Sequence, residues 1–312
     1  MIATVTLNPA IDKSVTVHGF EIGKTNRGEV TRVDAGGKGI NVAKALKRFG
    51  CAVCALGLVA GSNGRFVLDA LAAEGIPADF VNVAGETRVN LKIHDPEKGT
   101  ETELNEPGFR VMAEHLEELR RKIDVHAPHC AVMVFSGSLP PAAPPTIFAD
   151  LMRIAKAHGA KCFLDTGGPA LKHGLAAGPF LIKPNRAEVE DLLKRRLPTR
   201  RELVEAARAI IIRMGCEQVL ISLGAEGAVG VAGPDALFAA PPAVEVRSSV
   251  GAGDTMVAAM AYAAVAGLPF RQAFRMAVAA SAATVAMEGT RVADLAAVQE
   301  LVPQVTLEDA EV

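Results

Sequence analysis

Tryptophan is missing from this 312-residue chain, tyrosine occurs once, and aromatic residues make up only 4%. A platform on which nucleic-acid bases stack is therefore not expected. With 33 basic against 35 acidic residues, bulk charge does not favour nucleic acid either. The seven histidines are scattered, and no pair has the HxxxH or HExxH spacing of a zinc-binding helix. The five cysteines are an odd number spread over a long chain, which argues for reduced thiols in the cytosol. Cys51 and Cys54 have CxxC spacing, but no second pair completes a zinc site. Strand residues three apart also face opposite sides, so the pair reads as structural. The uncharged run between Asp254 and Arg271 is rich in Ala and Gly. It falls short of the about 18–20 residues of a membrane span and reads as a buried helix. The start, Met1-Ile2-Ala3-Thr4-Val5-Thr6-Leu7, has no basic n-region or cleavage pattern and reads as a strand, with a cytoplasmic location expected.

What the chain has is alternation. Half of its residues are hydrophobic and 22% are charged, which suits a sizeable core. Helices are expected at Val42 to Phe49, Phe66 to Glu74, Glu114 to Ile123, Thr146 to His158, Glu188 to Lys194 and Arg201 to Met214. Short apolar strands are expected at Ala52 to Val59, Cys130 to Phe135, Lys161 to Leu164, Phe180 to Ile182 and Gln218 to Ser222. This rhythm indicates βαβ units around a mostly parallel sheet covered on both faces, with ligands at the carboxyl ends of its strands. Residues 11–34 and 88–108 break the rhythm. They alternate polar and apolar positions, as two-faced antiparallel strands do, and together would form a small projecting lid. The acidic tail from Glu308 to Val312 is expected to fray.

Glycine-rich turns fall where strands should end. Gly251-Ala252-Gly253-Asp254 opens the apolar run Thr255 to Ala266. Small residues at a helix start let an anion approach unpaired N–H groups, and an Asp there can take a proton from a hydroxyl. It is not a dinucleotide fingerprint, because Met256 stands where the third Gly is needed. Ala35-Gly36-Gly37-Lys38-Gly39-Ile40-Asn41 is a second anion or sugar turn. It is not a Walker A loop, since Gly39 follows the Lys and position 32 is Arg. Lys183-Pro184-Asn185-Arg186-Ala187-Glu188 fits a helix cap and equally an Asn and a Glu poised near hydrated Mg²⁺. Ser222-Leu223-Gly224-Ala225-Glu226-Gly227 and Ser136-Gly137-Ser138-Leu139-Pro140 read singly as turns. Their clustering at strand ends is the stronger signal.

These motifs, from Asn8-Pro9-Ala10-Ile11-Asp12 to Gly289-Thr290-Arg291, closely resemble those of the ribokinase-like (PfkB) sugar kinases, over nearly the whole chain. The resemblance implies one kinase domain over 1–312, a three-layer α/β sandwich with a mostly parallel central sheet and a projecting β lid. Thr87-Arg88-Val89-Asn90-Leu91-Lys92 and Leu104-Asn105-Glu106-Pro107-Gly108 resemble the fructose 1-phosphate branch. That implies ATP-dependent transfer to the 6-hydroxyl, giving fructose 1,6-bisphosphate and ADP. Tagatose 6-phosphate is the close alternative and fructose 6-phosphate the third. By the same resemblance Asp254 is the base, and the amides of Gly251, Ala252 and Gly253 hold the transferring phosphoryl group. Asp12, Gly36, Gly37 and Asn41 hold the sugar, and Ser138 borders it. Lys38 and Arg88 meet its existing phosphate, with Asn90 and Lys92 assisting. Lys183, Asn185, Ser222, Gly224 and Gly227 line the ATP site, with Glu188 near Mg²⁺ through water. A monovalent cation such as K⁺ near the nest and a homodimer through the lid are further expectations; nucleic-acid and membrane partners are not. Two rival classes are a silent phosphosugar sensor, which would lack the base or nest, and a Rossmann oxidoreductase.

Overall fold

The computed structural model describes residues 1–287, 289 and 291–310. The strands are β1 (Ile2–Thr6), β2 (Ala10–Thr16), β3 (Glu29–Gly36), β4 (Val53–Ala60), β5 (Ala78–Val83), β6 (Arg88–Asp95), β7 (Thr100–Asn105), β8 (Val132–Ser136), β9 (Lys161–Asp165), β10 (Leu181–Ile182), β11 (Gln218–Ser222), β12 (Ala228–Ala232), β13 (Asp235–Ala240) and β14 (Thr306–Asp309). The α-helices are α1 (Lys38–Arg48), α2 (Gly61–Ala73), α3 (Ala113–His126), α4 (Ile147–Ala157), α5 (Gly168–Gly174), α6 (Arg186–Leu193), α7 (Arg200–Met214), α8 (Ala252–Ala266), α9 (Phe270–Val285) and α10 (Leu295–Leu301).

The large sheet runs β14-β13-β12-β11-β10-β9-β8-β1-β4-β5. It is parallel from β5 through β11 and antiparallel beyond. Alternate residues sort to opposite faces, as the period of two demands. Met133 and Phe135 of β8 join one buried cluster with α3, α4 and α7, while Val132 and Val134 join another with α1, α8 and α9. Three layers result, helix on sheet on helix. Phe135 is fully buried and meets Phe148 of α4 edge-on at a centroid distance of 6.3 Å. The uncharged run after Asp254 is α8, mostly buried and packed among α1, α9 and the sheet.

The small sheet has the order β3-β2-β6-β7. Its central pair, β2 and β6, is parallel, with Asp12 opposite Asn90; only the outer pairs are antiparallel. The all-antiparallel expectation is corrected here. A parallel pair needs a long crossover, and β3 through β5 with α1 and α2 supply one. Its two faces differ in chemistry. Asp12, Ser14, Arg32, Asp34, Lys92 and His94 face a hollow of about 180 Å³ against residues 247–250 of the body. The opposite face carries the row Val33, Lys13, Leu91 and Leu104, of which Val33 and Leu104 are exposed.

The tail also departs from expectation. Thr306–Asp309 pairs with β13 as an edge strand, tied by Arg200 to Glu308 and by Arg271 to Asp309. Glu311 and Val312, and the expected motif residue Thr290, lie outside the described residues. Helices α1 and α2 begin earlier than expected, at Lys38 and Gly61, because the glycine-rich turns themselves wind into the first helical turn.

Candidate active site

The carboxyl ends of β1, β8, β9, β10 and β11 all open on one edge of the sheet, and the predicted motifs lie there. Gly37, at φ 115°, caps α1, and Gly251, at φ 77°, caps α8. Such angles favour glycine. With no side chain capping either helix, the first N–H groups remain available to a ligand. Below the nest, Thr255 Oγ1 donates to Gly251 O at 2.9 Å, and Thr284 Oγ1 donates to Thr255 Oγ1 at 3.0 Å. This buried chain fastens the start of α8 to α9.

Asp254 is buried in the first turn of α8, and Asn41 Nδ2 donates to its Oδ2 at 2.8 Å. The side chain faces polar partners, not the apolar core. Burial and then the neighbouring charge of Asp165 push its pKa up to about 6, with Lys38 and Asn41 opposing. A carboxyl in that range is suited to accept a proton near neutral pH. Asp12 receives a hydrogen bond from Asn90 Nδ2 at 2.9 Å. Its pKa is raised chiefly by burial, against the pull of Asn90, Lys92 and Arg88. A methyl added to Gly36 would overlap the Asp12 carboxylate, so glycine is required for the turn to pass so close.

Asp165, at the end of β9, escaped sequence reasoning. A single Asp after an apolar strand carries no pattern; the signal available was its position beside the other strand-end motifs. Lys38 Nζ lies 3.1 Å from Asp165 Oδ1 and Lys183 Nζ 3.5 Å from the same oxygen. Burial alone would raise the pKa of Asp165, but the two ammonium groups outweigh it and hold the carboxyl below its usual range. Its other oxygen, Oδ2, is buried and has no hydrogen-bond partner among the described residues. Burial also opposes the charge on Lys38, but Asp165, Asp254 and Glu188 overcome it and push the ammonium pKa up.

Lys38 and Arg88, both expected at the substrate's existing phosphate, have different partners in the structure. Lys38 lines a hollow of about 450 Å³ with Ser138, Thr166, Gly167 and Glu188. Arg88 acts on Asp12 from the lid and donates from Nη1 to Glu106 O at 3.3 Å, while its buried Nε has no partner among the described residues. Asn8 Nδ2 donates to Pro107 O at 3.1 Å and to Ser138 Oγ at 3.3 Å, joining the lid-side turn to the β8 end.

Glu188 does cap its helix: its Oε2 accepts from Asn185 N at 2.8 Å, and Asn185 Oδ1 accepts from Glu188 N at 2.9 Å. The cap engages Oε2, while a methyl built on Gly167 would lie 2.9 Å from Oε1 and both residues line the same hollow, so the cap leaves room for the metal reading. Asn185 also bridges to Ser222, and Gly224 and Gly227 shape the turn after β11 at φ 61° and 103°. A side chain on Gly227 would strike Ala239 O. Among the described residues no cluster of three or more His, Cys, Asp or Glu forms a ready metal cage. The oxygen donors Asp165 and Glu188 nevertheless fit Mg²⁺, which binds one or two carboxylates and keeps its waters.

The chain matches known proteins over most of its length. The family model described as pfkB family carbohydrate kinase matches residues 5–296. The 1-phosphofructokinase of Rhodobacter capsulatus is 40% identical over 281 residues, 90% of this chain and 89% of that protein. The 1-phosphofructokinase of Escherichia coli K12 is 34% identical over 307 residues, 98% of each. Phosphofructokinase-2 from Escherichia coli in complex with potassium superimposes with a TM-score of 0.92 at 30% identity, covering 97% of this chain and 98% of that one. A tetrameric inhibited form of the same enzyme superimposes at 0.90 and 29% identity, with 97% and 98% coverage. With the family model matched over residues 5–296 and a relative 40% identical over 90% of the chain, this protein belongs to the pfkB family of carbohydrate kinases.

Proposed function

We propose that this kinase transfers the γ-phosphoryl group of ATP to the 6-hydroxyl of fructose 1-phosphate, giving fructose 1,6-bisphosphate and ADP. The observation that carries the reading is the buried Asp254, oriented by Asn41 at the amide-lined start of α8. The relatives named 1-phosphofructokinase, matched over nearly their full length, support the sugar. Tagatose 6-phosphate, then fructose 6-phosphate, are the alternative acceptors.

In this reading Asp254 accepts the proton of the attacking hydroxyl. The amides of Gly251, Ala252 and Gly253 stabilise charge on the transferring group, where positioning and electrostatics dominate. Asp12, with Gly36, Gly37 and Asn41, holds the sugar hydroxyls, and Asn90 keeps Asp12 oriented. Arg88, with its unpartnered buried Nε, meets the resident phosphate. Lys183, Asn185, Ser222, Gly224 and Gly227 border the nucleotide. Mg²⁺ neutralises phosphate charge when bound; Glu188, through water, and Asp165 would hold it. A monovalent cation such as K⁺ beside the nest belongs to the same reading, in keeping with the potassium complex of the similar phosphofructokinase-2.

The exposed apolar row of the lid fits a second copy of the chain, giving a lid-to-lid homodimer. No helix among the described residues is long and apolar enough to cross a membrane. The five free thiols favour a cytoplasmic location. A coupled kinase assay comparing the three phosphosugars under equal conditions tests the proposal. Highest kcat/KM on fructose 1-phosphate supports it. Absence of phosphosugar-dependent ADP release would leave only a binding protein.

A further inference from the structure

Lys38 occupies an unusual place for a residue expected to bind the substrate's resident phosphate. Fructose 1-phosphate carries that phosphate on the carbon at the opposite end from the reacting 6-hydroxyl. Arg88 is suited to serve it, on the lid strand β6 and within electrostatic reach of Asp12. Lys38 instead starts α1 in the body and turns to Asp165. Its Nζ is 3.1 Å from Asp165 Oδ1, and Lys183 Nζ is 3.5 Å from that same oxygen. Lys183 in turn abuts the nest: a methyl built on Gly253 would lie 3.1 Å from its Nζ. Asp254 stands next to Gly253 in the same first turn of α8. Two ammonium groups, the α8 amides and the base therefore converge on one volume, and the phosphoryl group in transit must cross it.

We propose that Lys38 is a catalytic residue that contacts the transferring phosphoryl group, parked on Asp165 in the resting enzyme, and is not a ligand of the resident phosphate. The inference rests on the phosphotransfer reading above. In the step, the bond from the γ-phosphorus to the β,γ-bridging oxygen breaks and its electron pair stays on ADP. The bond from the sugar 6-oxygen to phosphorus forms, and the hydroxyl proton passes to Asp254. Negative charge shifts on the phosphoryl and bridging oxygens during this exchange. A cation placed against them stabilises the transition state more than the ground state, so its loss falls on kcat. A cation on the resident phosphate would bind both states alike, so its loss would fall on KM.

The test uses Lys38→Met and Lys38→Arg with isothermal calorimetry for fructose 1-phosphate. The expected result for Lys38→Met is a kcat lower by about 10²–10³, the range for removing one transition-state donor. The sugar Kd should change less than threefold, and Lys38→Arg should recover part of the rate. Inhibition by ADP with aluminium fluoride in the presence of the sugar, a mimic of the transferring group, should weaken in parallel while affinity for ADP alone is kept. A tenfold or greater rise in sugar Kd with kcat retained, or no change in either, overturns the assignment. Should Lys38→Met fail to fold, Lys38→Gln, which keeps a donor toward Asp165, carries the same test. Wild-type protein that phosphorylates none of the three phosphosugars overturns the kinase reading instead. Active wild type with a purely KM-type defect overturns only the role of Lys38.

Discussion

Asn41 Nδ2 donates to Asp254 Oδ2 at 2.8 Å, across 213 positions of sequence. The bond joins the two glycine-rich turns into one site. Asn41 lies in the first turn of α1 behind Gly37, and Asp254 in the first turn of α8 behind Gly251. One hydrogen bond therefore sets the base relative to the turn proposed to hold the sugar. Asp254→Asn keeps the shape and removes the proton acceptor. Its kcat is expected to fall by about 10²–10⁴, the range for general acid–base groups, with sugar affinity kept. Near-normal turnover of the purified variant would remove Asp254 from the mechanism.

The pKa of Asp254 leads to opposite pH trends in rate and stability. The base must be ionised, so kcat should fall as pH drops through about 6. Its folded pKa is raised above the ordinary 3.8, so the folded state binds the extra proton between those values. This group's stabilising contribution is therefore full at low pH and is lost as pH rises through about 6. At pH 7 Asp254→Asn should melt at a higher temperature than wild type, and the gap should close toward pH 4. Thermal melts of both proteins across that window check the sign, and a gap that widens toward acid contradicts it.

Much of this site was legible in the sequence, and the reasons differ by residue. Gly36, Gly37 and Gly251 declared themselves because backbone geometry or close approach demands glycine, and a cluster of such demands is rare. The βαβ rhythm placed them at strand ends. Asp165 stayed hidden because its importance comes from two lysines, 127 residues upstream and 18 downstream, that only the fold brings to it. The β2–β6 pairing was misread because a parallel and an antiparallel pair have the same alternation when one face is polar. The edge strand β14 was missed because charged residues suit an exposed edge as well as a frayed tail. Likewise a helix cap and the proposed Mg²⁺ contact ask for the same residue type at Glu188, and the bond from Asn185 N shows the cap.

Gly36 tests how closely the first turn must approach its neighbour. An alanine there puts its methyl on the Asp12 carboxylate, so Asp12 must leave Asn90. Losing a hydrogen bond to a charged group costs about 1.5–3 kcal/mol, roughly 10–100-fold in sugar affinity. Gly36→Ala and Asp12→Ala should raise KM for the phosphosugar by that factor and leave KM for ATP nearly unchanged. Equal effects on both substrates would place Asp12 outside the sugar site.

The lid offers a prediction about assembly. Val33, Leu91 and Leu104 line up across β3, β6 and β7 on the face turned away from the hollow, with Lys13 between them. Val33 and Leu104 are 42% and 57% exposed, a costly display for a face that also carries the catalytic cleft on its reverse. If two lids cover one another, further positive charge placed in the row beside Lys13 is buried against a like charge, a penalty of several kcal/mol across a symmetric interface. Leu104→Lys combined with Val33→Lys should shift light scattering from dimer to monomer and leave the melting of the body intact. Sugar affinity should weaken, because Asp12 on β2 and Asn90 and Arg88 on β6 lie on the strands paired between the two altered ones. A wild-type protein that is monomeric at micromolar concentration, or a variant that stays dimeric, would move the interface elsewhere.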